Sequence, residues 1–350
     1  MPLFMDLHKI PNVTIEDAKK AHVADEYIQR QYGVKYLQFW INEEAGNLFC
    51  LVEGPNKSTV EDVHRIAHGH VACAIVEIDP SYYSLVMGNN MRIEQGLVHQ
   101  ESSGLVDPGT RFILTVSFYG KAPGEAARAH EAIVNRLAKH DGRRIKLSGE
   151  DNQVSVFDSA DEALQCAKEI QADLSKNHKK TSFSIGLSAG QPVTENNEFI
   201  EETVRLAKRL SLIAEEGHIL VSPLFSELCN DDLGKKGNKK LRQLNVAEET
   251  FITQCFEIMD EQLSNESFHI DTLVKALGMS RAQLYRKIQA LTGKAPNSFI
   301  RDLRLEKARG LLKRKTGNVS EVAYEVGFGN PSYFAKCFAK RFGCLPSQLA

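Results

Sequence analysis

One apolar spacing occurs twice near the carboxyl end, and each time a glycine stops it. Ile270, Leu273, Val274 and Leu277 stand at i, i+3, i+4 and i+7, followed by Gly278; Val319, Val322, Ala323 and Val326 repeat the pattern before Gly327, 49 residues later. That period is one face of a helix, and glycine is the residue that most readily takes the left-handed turn beyond a helix end. A second helix follows each turn: Ser280 is placed to cap one, and Asn330 with Pro331 just inside to cap the other. Helix, tight turn, helix is a unit that presents its second helix to a groove.

At about 100° per residue, Leu284, Ile288 and Leu291 share one face of the first such helix. Ala282, Arg286 and Gln289 lie opposite, Gln283 and Tyr285 flank them, and Arg281 opens the helix. In the second, Phe334, Cys337 and Phe338 share a face, while Ser332 and Lys336 lie opposite with Lys340 beside them; Asn330 and Tyr333 complete the candidate surface. Apolar backs anchor the helices and leave cationic fronts for a polyanion, and a helix fits the major groove of duplex DNA. The plainer alternative for either helix alone is a solvated face. Charge favours DNA. From Asn265 to the end there are 15 Lys and Arg against 6 Asp and Glu, a net of +9, so the remainder of a chain of net −2 carries −11. A basic domain on an acidic body points to nucleic acid. Between the two units, SFIRDLRLEKARGLLKRK reads as a helix with Phe299, Ile300 and Leu303 inward, which would set the distance between the readers.

The stretches ALGMSRAQLYRKIQALTGKAPNSFIRDLRLEKARGLL and VSEVAYEVGFGNPSYFAKCFAKRFGCLP resemble the AraC/XylS family of transcription regulators over roughly residues 262–347. The resemblance implies a seven-helix domain with two helix-turn-helix units. By motif position, Ala282, Tyr285 and Arg286 of the first unit, with Ser332 and Lys336 of the second, fall where the family contacts bases. It also implies duplex DNA, RNA polymerase and a second copy of the chain as partners, a small molecule or metal as effector, and a cytoplasmic setting.

Upstream, α+β patterns fill the chain, and the expected fold is two ferredoxin-like α/β sandwiches followed by an all-α double helix-turn-helix domain. Residues 1–79 give strand, helix, hairpin, helix, strand. Residues 80–109, rich in Gly, Pro and Asn, read as a linker, with a short helix as the alternative within it. Residues 110–245 alternate strands and helices again, GKKGNKK at 234–240 reads as a flexible loop, and 248–350 reads as helical. The stretches VSVFDSADEALQCAKEIQ, FSIGLSAGQPV and VRLAKRLSLIAEEGHILVS resemble a class III nucleotide cyclase domain. That chemistry needs two carboxylates to hold divalent metal on a triphosphate. Ser117 stands where the first is expected, and Glu150 or Asp151 matches the second. The Arg of the late helix is kept as Arg209, while Arg205 replaces the family's Asn. An inactive domain follows, with no catalytic residue and packing as the role of Arg209. A working cyclase joined to a DNA-binding domain is the rival reading.

The first unit, through FCLVEGP, MPLFMDLH and the element order, resembles a small family described as nickel-responsive or nickel-binding. Its histidines carry the metal reading: His64 and His68 share a helix face, His70 follows, His8 lies on the first strand, and Cys50 lies on another. Imidazole and thiolate suit nickel, zinc or copper; the bland alternative is exposed histidines and a core cysteine. None of the seven cysteines forms a CxxC pair, which suits reduced thiols. No apolar run reaches the length of a membrane span.

Overall fold

The computed structural model describes residues 1–349 except 90, 102, 121–123, 146–151 and 231–238. Most of GKKGNKK, and both Glu150 and Asp151, lie outside the described residues. The chain forms two compact units, Met1–Phe112 with Ala189–Val204, and Ile113–Ser188 with Arg205–Ala350.

In the first unit, β1 (Leu3–Lys9), α1 (Ile15–Ile28), β2 (Lys35–Asn42), β3 (Asn47–Glu53), α2 (Lys57–Ala67) and β4 (Ala74–Ile78) follow the expected order. The strands lie β4-β1-β3-β2, each antiparallel to its neighbour. Thr14 and Asp17 cap α1 reciprocally, and Asn56 caps α2. Period 2 along β1 puts Phe4, Asp6 and His8 on one face. Cys50 is directly across from Asp6 on β3. The buried residues of α1 are Ala18, His22 and Asp25, and those of α2 are Val60, Val63 and His64. Both helices therefore turn polar as well as apolar groups toward the same sheet.

The stretch expected to be a linker is folded. Asp79 caps a helix, α3 (Pro80–Met87), and a hairpin of β5 (Met91–Glu94) and β6 (Leu97–Gln100) extends the sheet beside β2. Its two-residue turn is Gln95-Gly96, both at positive φ (52° and 80°), the geometry that matches strand twist. Glutamine in place of the usual Asn or Asp hides that signal. Residues 189–204 also belong to this unit: Asn197 Oδ1 accepts the Ile75 N–H (3.2 Å), and the rings of Tyr82 and Phe199 meet edge to face at 5.8 Å.

The second sheet has the order β12-β11-β10-β7-β9-β8. Its strands are β7 (Arg111–Gly120), β8 (Arg143–Ile145), β9 (Gln153–Phe157), β10 (Thr181–Gly190), β11 (Ile219–Val221) and β12 (Leu241–Gln243). Helices α4 (Glu125–Lys139), α5 (Ala160–Asn177), α6 (Glu201–Ile213) and α7 (Pro223–Glu227) connect them. The order β10-β7-β9-β8 repeats the wiring of the first sheet, and β11 and β12 are parallel additions at its edge. Helices α8 (Val246–Gln262), α9 (Ile270–Ala276), α10 (Arg281–Thr292), α11 (Pro296–Arg314), α12 (Val319–Glu325) and α13 (Pro331–Phe342) follow, with a 3-10 turn at Pro346–Gln348. Two apolar cores hold this part. One joins Leu210 and Leu220 to Phe256, Leu284 and Phe299, and the other joins Leu305 and Val322 to Phe334 and Phe338. No helix among the described residues is long and apolar enough to cross a membrane.

The turn glycines are left-handed as expected, Gly278 at φ 61° and Gly327 at φ 84°. Their surroundings differ. A Cβ on Gly278 would meet nothing within 4 Å, whereas one on Gly327 would come within 2.7 Å of the Leu263 carbonyl oxygen and 3.0 Å of the Arg304 guanidinium. Gly278→Ala therefore costs only the left-handed backbone strain, about 1–2 kcal/mol, and Gly327→Ala costs measurably more. Urea unfolding midpoints of the two variants of the full chain check the ranking.

Candidate nucleic-acid interface and metal centre

In α10, Leu284 and Ile288 are fully buried, while Arg281, Ala282, Gln283, Tyr285, Arg286 and Gln289 are exposed. In α13, Phe334 and Phe338 are fully buried, while Ser332, Tyr333, Lys336 and Lys340 are exposed, as is Asn330 before it. Three of these side chains have structural duties. Gln283 closes the cap with Ser280: its N–H donates to Ser280 Oγ (3.2 Å), and its Oε1 accepts the Ser280 N–H (3.0 Å). Asn330 Oδ1 accepts the Tyr333 N–H (2.9 Å). Arg281 is held by Asp271 of α9, with Nη2 2.6 Å from Oδ2. Arg286, Lys336 and Lys340 remain as exposed cations on the two fronts.

The separation of the fronts is set by α11. Arg341 of α13 donates from Nη1 to Asp302 (2.8 Å) and from Nη2 to Glu306 (2.7 Å), and Lys294, just after α10, donates to Asp302 (2.8 Å). Burial opposes the Arg341 charge, but the two carboxylates outweigh it and raise its pKa. A cation from each side thus meets Asp302 of α11, and Arg341 also meets Glu306 one turn on.

A second set of functional groups lies in the first unit. Asp6, His8, Cys50 and His64 each offer a donor atom, all within 4.8 Å of one another, and all four side chains are buried. Asp25, His64 and His68 form an adjoining group by the same measure. His64 Nε2 is 2.8 Å from Asp6 Oδ2, and its Nδ1 is 3.2 Å from both Asp25 Oδ2 and His68 Nε2. The Cys50 N–H donates to Asp6 Oδ1 (2.9 Å). Among the described residues neither His8 nitrogen makes a hydrogen bond, although Nε2 is 3.4 Å from Asp6 Oδ1; Asp25 Oδ1 makes none either, although His68 Nε2 is 3.3 Å from it. Buried polar atoms left unsatisfied are unusual and call for an occupant or a cost. The cavity among these side chains measures about 10 Å³, room for one small sphere. Two imidazoles, a thiol and a carboxylate suit a borderline transition metal.

Electrostatics bind the group together. Burial opposes the charged form of His64, yet Asp6 and Asp25 prevail and raise its pKa to about 10. Burial also opposes ionised Asp6, and His8 with His64 overcomes it, holding the carboxyl well below the usual range. Burial pushes the Cys50 thiol up, and Asp6 adds to the effect. Of the expected ligands, His8, Cys50 and His64 come together, His68 belongs to the adjoining group, and His70 is exposed and stands in neither. Asp6 and Asp25 were not foreseen. A carboxylate two residues before His8 on an otherwise apolar strand was the available signal.

On β7, the Ser117 hydroxyl lies 2.7 Å from Ser211 Oγ of α6. Arg209 donates to Asp260 of α8 (2.9 Å) and stacks 5.3 Å from the Phe256 ring, a packing role.

Two helix-turn-helix units with exposed cationic fronts define a class, the helix-turn-helix proteins. Residues 273–350 match the family "Helix-turn-helix domain", and residues 4–78 match "Nickel responsive protein SCO4226-like". An uncharacterized HTH-type transcriptional regulator in the cgkA 5' region of Pseudoalteromonas carrageenovora is 32% identical over 127 residues, 36% of this chain and 74% of that protein. This chain belongs to the HTH-type transcriptional regulators. Histidine kinase P4 of Formosa agariphila is 41% identical over 105 residues, 30% of this chain but only 8% of the kinase. The crystal structure of an adenylate/guanylate cyclase/hydrolase from Silicibacter pomeroyi is 27% identical, covering 34% of this chain and 78% of that one at a TM-score of 0.29.

The buried charges make stability depend on pH. His64, with its pKa raised to about 10, contributes fully below its unfolded value of about 6.5, and that contribution is lost as pH rises through 10. Asp6, with its pKa depressed, contributes fully above its unfolded value of about 3.9 and loses this as pH falls. Metal-free protein should therefore be most stable between about pH 4 and 6.5. His64→Gln should flatten the alkaline limb of the urea midpoint measured against pH in the presence of chelator.

Proposed function

We propose that this chain regulates transcription by binding a specific duplex DNA site through α10 and α13, under the control of a transition metal held in its first unit. The observation that carries the DNA reading is the pairing of buried backs, Leu284 with Ile288 and Phe334 with Phe338, with exposed fronts bearing Arg286 and Lys336. Arg reaches guanine edges and Lys reaches guanine or phosphate. Two readers tied to one connecting helix suit successive major grooves, about 34 Å apart. A second copy of the chain would double the site, RNA polymerase would be the downstream partner, and the cytoplasm the setting. Both sandwiches are of the ferredoxin-like type on this reading, and the central one is not catalytic. Ser117 supplies a neutral hydroxyl where a metal-binding carboxylate is required.

The metal reading rests on the unsatisfied buried atoms around His8. Asp6, His8, Cys50 and His64 would hold the ion. His68 and Asp25 would orient His64 from behind, as carboxylates and their partners do around metal-bound imidazoles. The bound ion would supply the hydrogen-bond-free His8 with a partner and lock α2 to β1 and β3.

Arg286→Ala and Lys336→Ala should each weaken binding to a duplex selected from a random pool by about 1–3 kcal/mol. Affinity should also fall steeply with salt. Mobility-shift titrations check both, and unchanged affinity in the two variants would remove the proposed readers. Calorimetric titration of the full chain with nickel and with zinc should show one tight site, lost in Cys50→Ser and His64→Ala. An equal heat in wild type and variants would place the metal elsewhere.

A further inference from the structure

The four side chains that would hold the ion are closed off from solvent, with Asp6 0%, His8 2%, Cys50 5% and His64 1% exposed. The space among them, about 10 Å³, does not admit a hydrated ion. Beside it a groove of about 410 Å³ opens, lined by the β1–α1 connection, α1 and the residues after α2. His68 and His70 line both spaces, as do Ala18 and Ala21 of α1. Asp17 and Lys20 at the rim offset one another.

Four imidazoles run inward from that groove. His70 is exposed, His68 is partly buried, and His64 and His8 are buried. Successive ring centroids are 5.4, 5.2 and 4.6 Å apart. The His70 backbone N–H donates to His68 Nδ1 (3.1 Å), which leaves His68 Nε2 facing inward, 3.3 Å from Asp25 Oδ2 and 3.2 Å from His64 Nδ1. Asp25, 2% exposed, keeps an oxygen, Oδ1, that makes no hydrogen bond among the described residues. Beyond it, His64 presents Nε2 to Asp6 at 2.8 Å.

We infer that His70 and His68 are the entry path of the metal: His70 captures a hydrated divalent transition ion at the groove, and His68 with Asp25 passes it to the buried ligands. This path presupposes the metal reading above. Stripping all the water from a cation in one step at a buried site is costly. Imidazole nitrogens replace waters one at a time, and the Asp25 carboxylate adds an anionic oxygen midway. The ring spacing suits a transfer, because an ion about 2 Å from one nitrogen is within small side-chain movements of the next. His70 belongs to neither ligand group. It is therefore absent from the free and the loaded resting states, and its loss changes the rate of loading in both directions rather than the affinity.

Stopped-flow mixing of the full chain with cobalt(II) tests the path. The cobalt–thiolate absorption reports arrival at Cys50, and Cys50→Ser supplies the blank for the other cysteines. His70→Ala, which keeps the backbone N–H that holds His68, should load at least about tenfold more slowly. Its Kd by calorimetry should stay within about twofold of wild type. His70→Glu returns a ligand atom and should recover most of the rate. Ala21→Phe fills the groove without removing a ligand and should slow loading likewise. His269→Ala, an exposed histidine of the other unit, should load as wild type does. The entry path is excluded if His70→Ala or Ala21→Phe loads at the wild-type rate. It is excluded equally if the Kd of His70→Ala rises in step with the lost rate, which would make His70 a ligand of the resting site. Absence of any absorption above the blank in wild type at equilibrium removes the metal reading and the path together; normal absorption with unaltered rates removes the path alone.

Discussion

Arg341 is the contact on which the placement of α13 depends. Its guanidinium, half-buried, spans Asp302 and Glu306 one turn apart on α11, and Lys294 shares Asp302 from the other unit. A partly desolvated cation is favourable only with its partners in place, and removing either partner leaves it under-compensated. The network therefore does more to specify an arrangement than to add stability. It joins α13 and the segment after α10 to the same side of α11 through Asp302. Apolar packing in the two cores supplies the bulk of the stability, and it would tolerate several placements of a greasy helix back; a bidentate fork between two carboxylates tolerates few.

The DNA-binding half was legible because its signals are local. Helical period, capping residues and turn glycines all act within a few residues, and each agrees with the others. Ser280 and Asn330 cap as expected, and Leu284 and Phe334 point inward as expected. What was not legible depends on distance along the chain. The β5–β6 hairpin, with its Gln95-Gly96 turn, finds its place only by pairing with β2, and four-residue strands show too little alternation to be recognised alone. The return of residues 189–204 to the first unit rests on contacts such as Asn197 with Ile75, which no window of sequence contains.

The candidate metal centre shows the same division. His64 and His68 were found through i,i+4 spacing, but spacing places them on one face without saying what that face meets. Asp6 on β1 and Asp25 on α1 complete the two groups, and in sequence only Asp6, set in an apolar strand, differs from an ordinary solvent-facing acid. Only the antiparallel register of β1 and β3, with Asp6 opposite Cys50, and the packing of α1 and α2 on one side of the sheet bring them inward. His70, attractive by composition, follows the end of α2, where the chain has already turned to solvent.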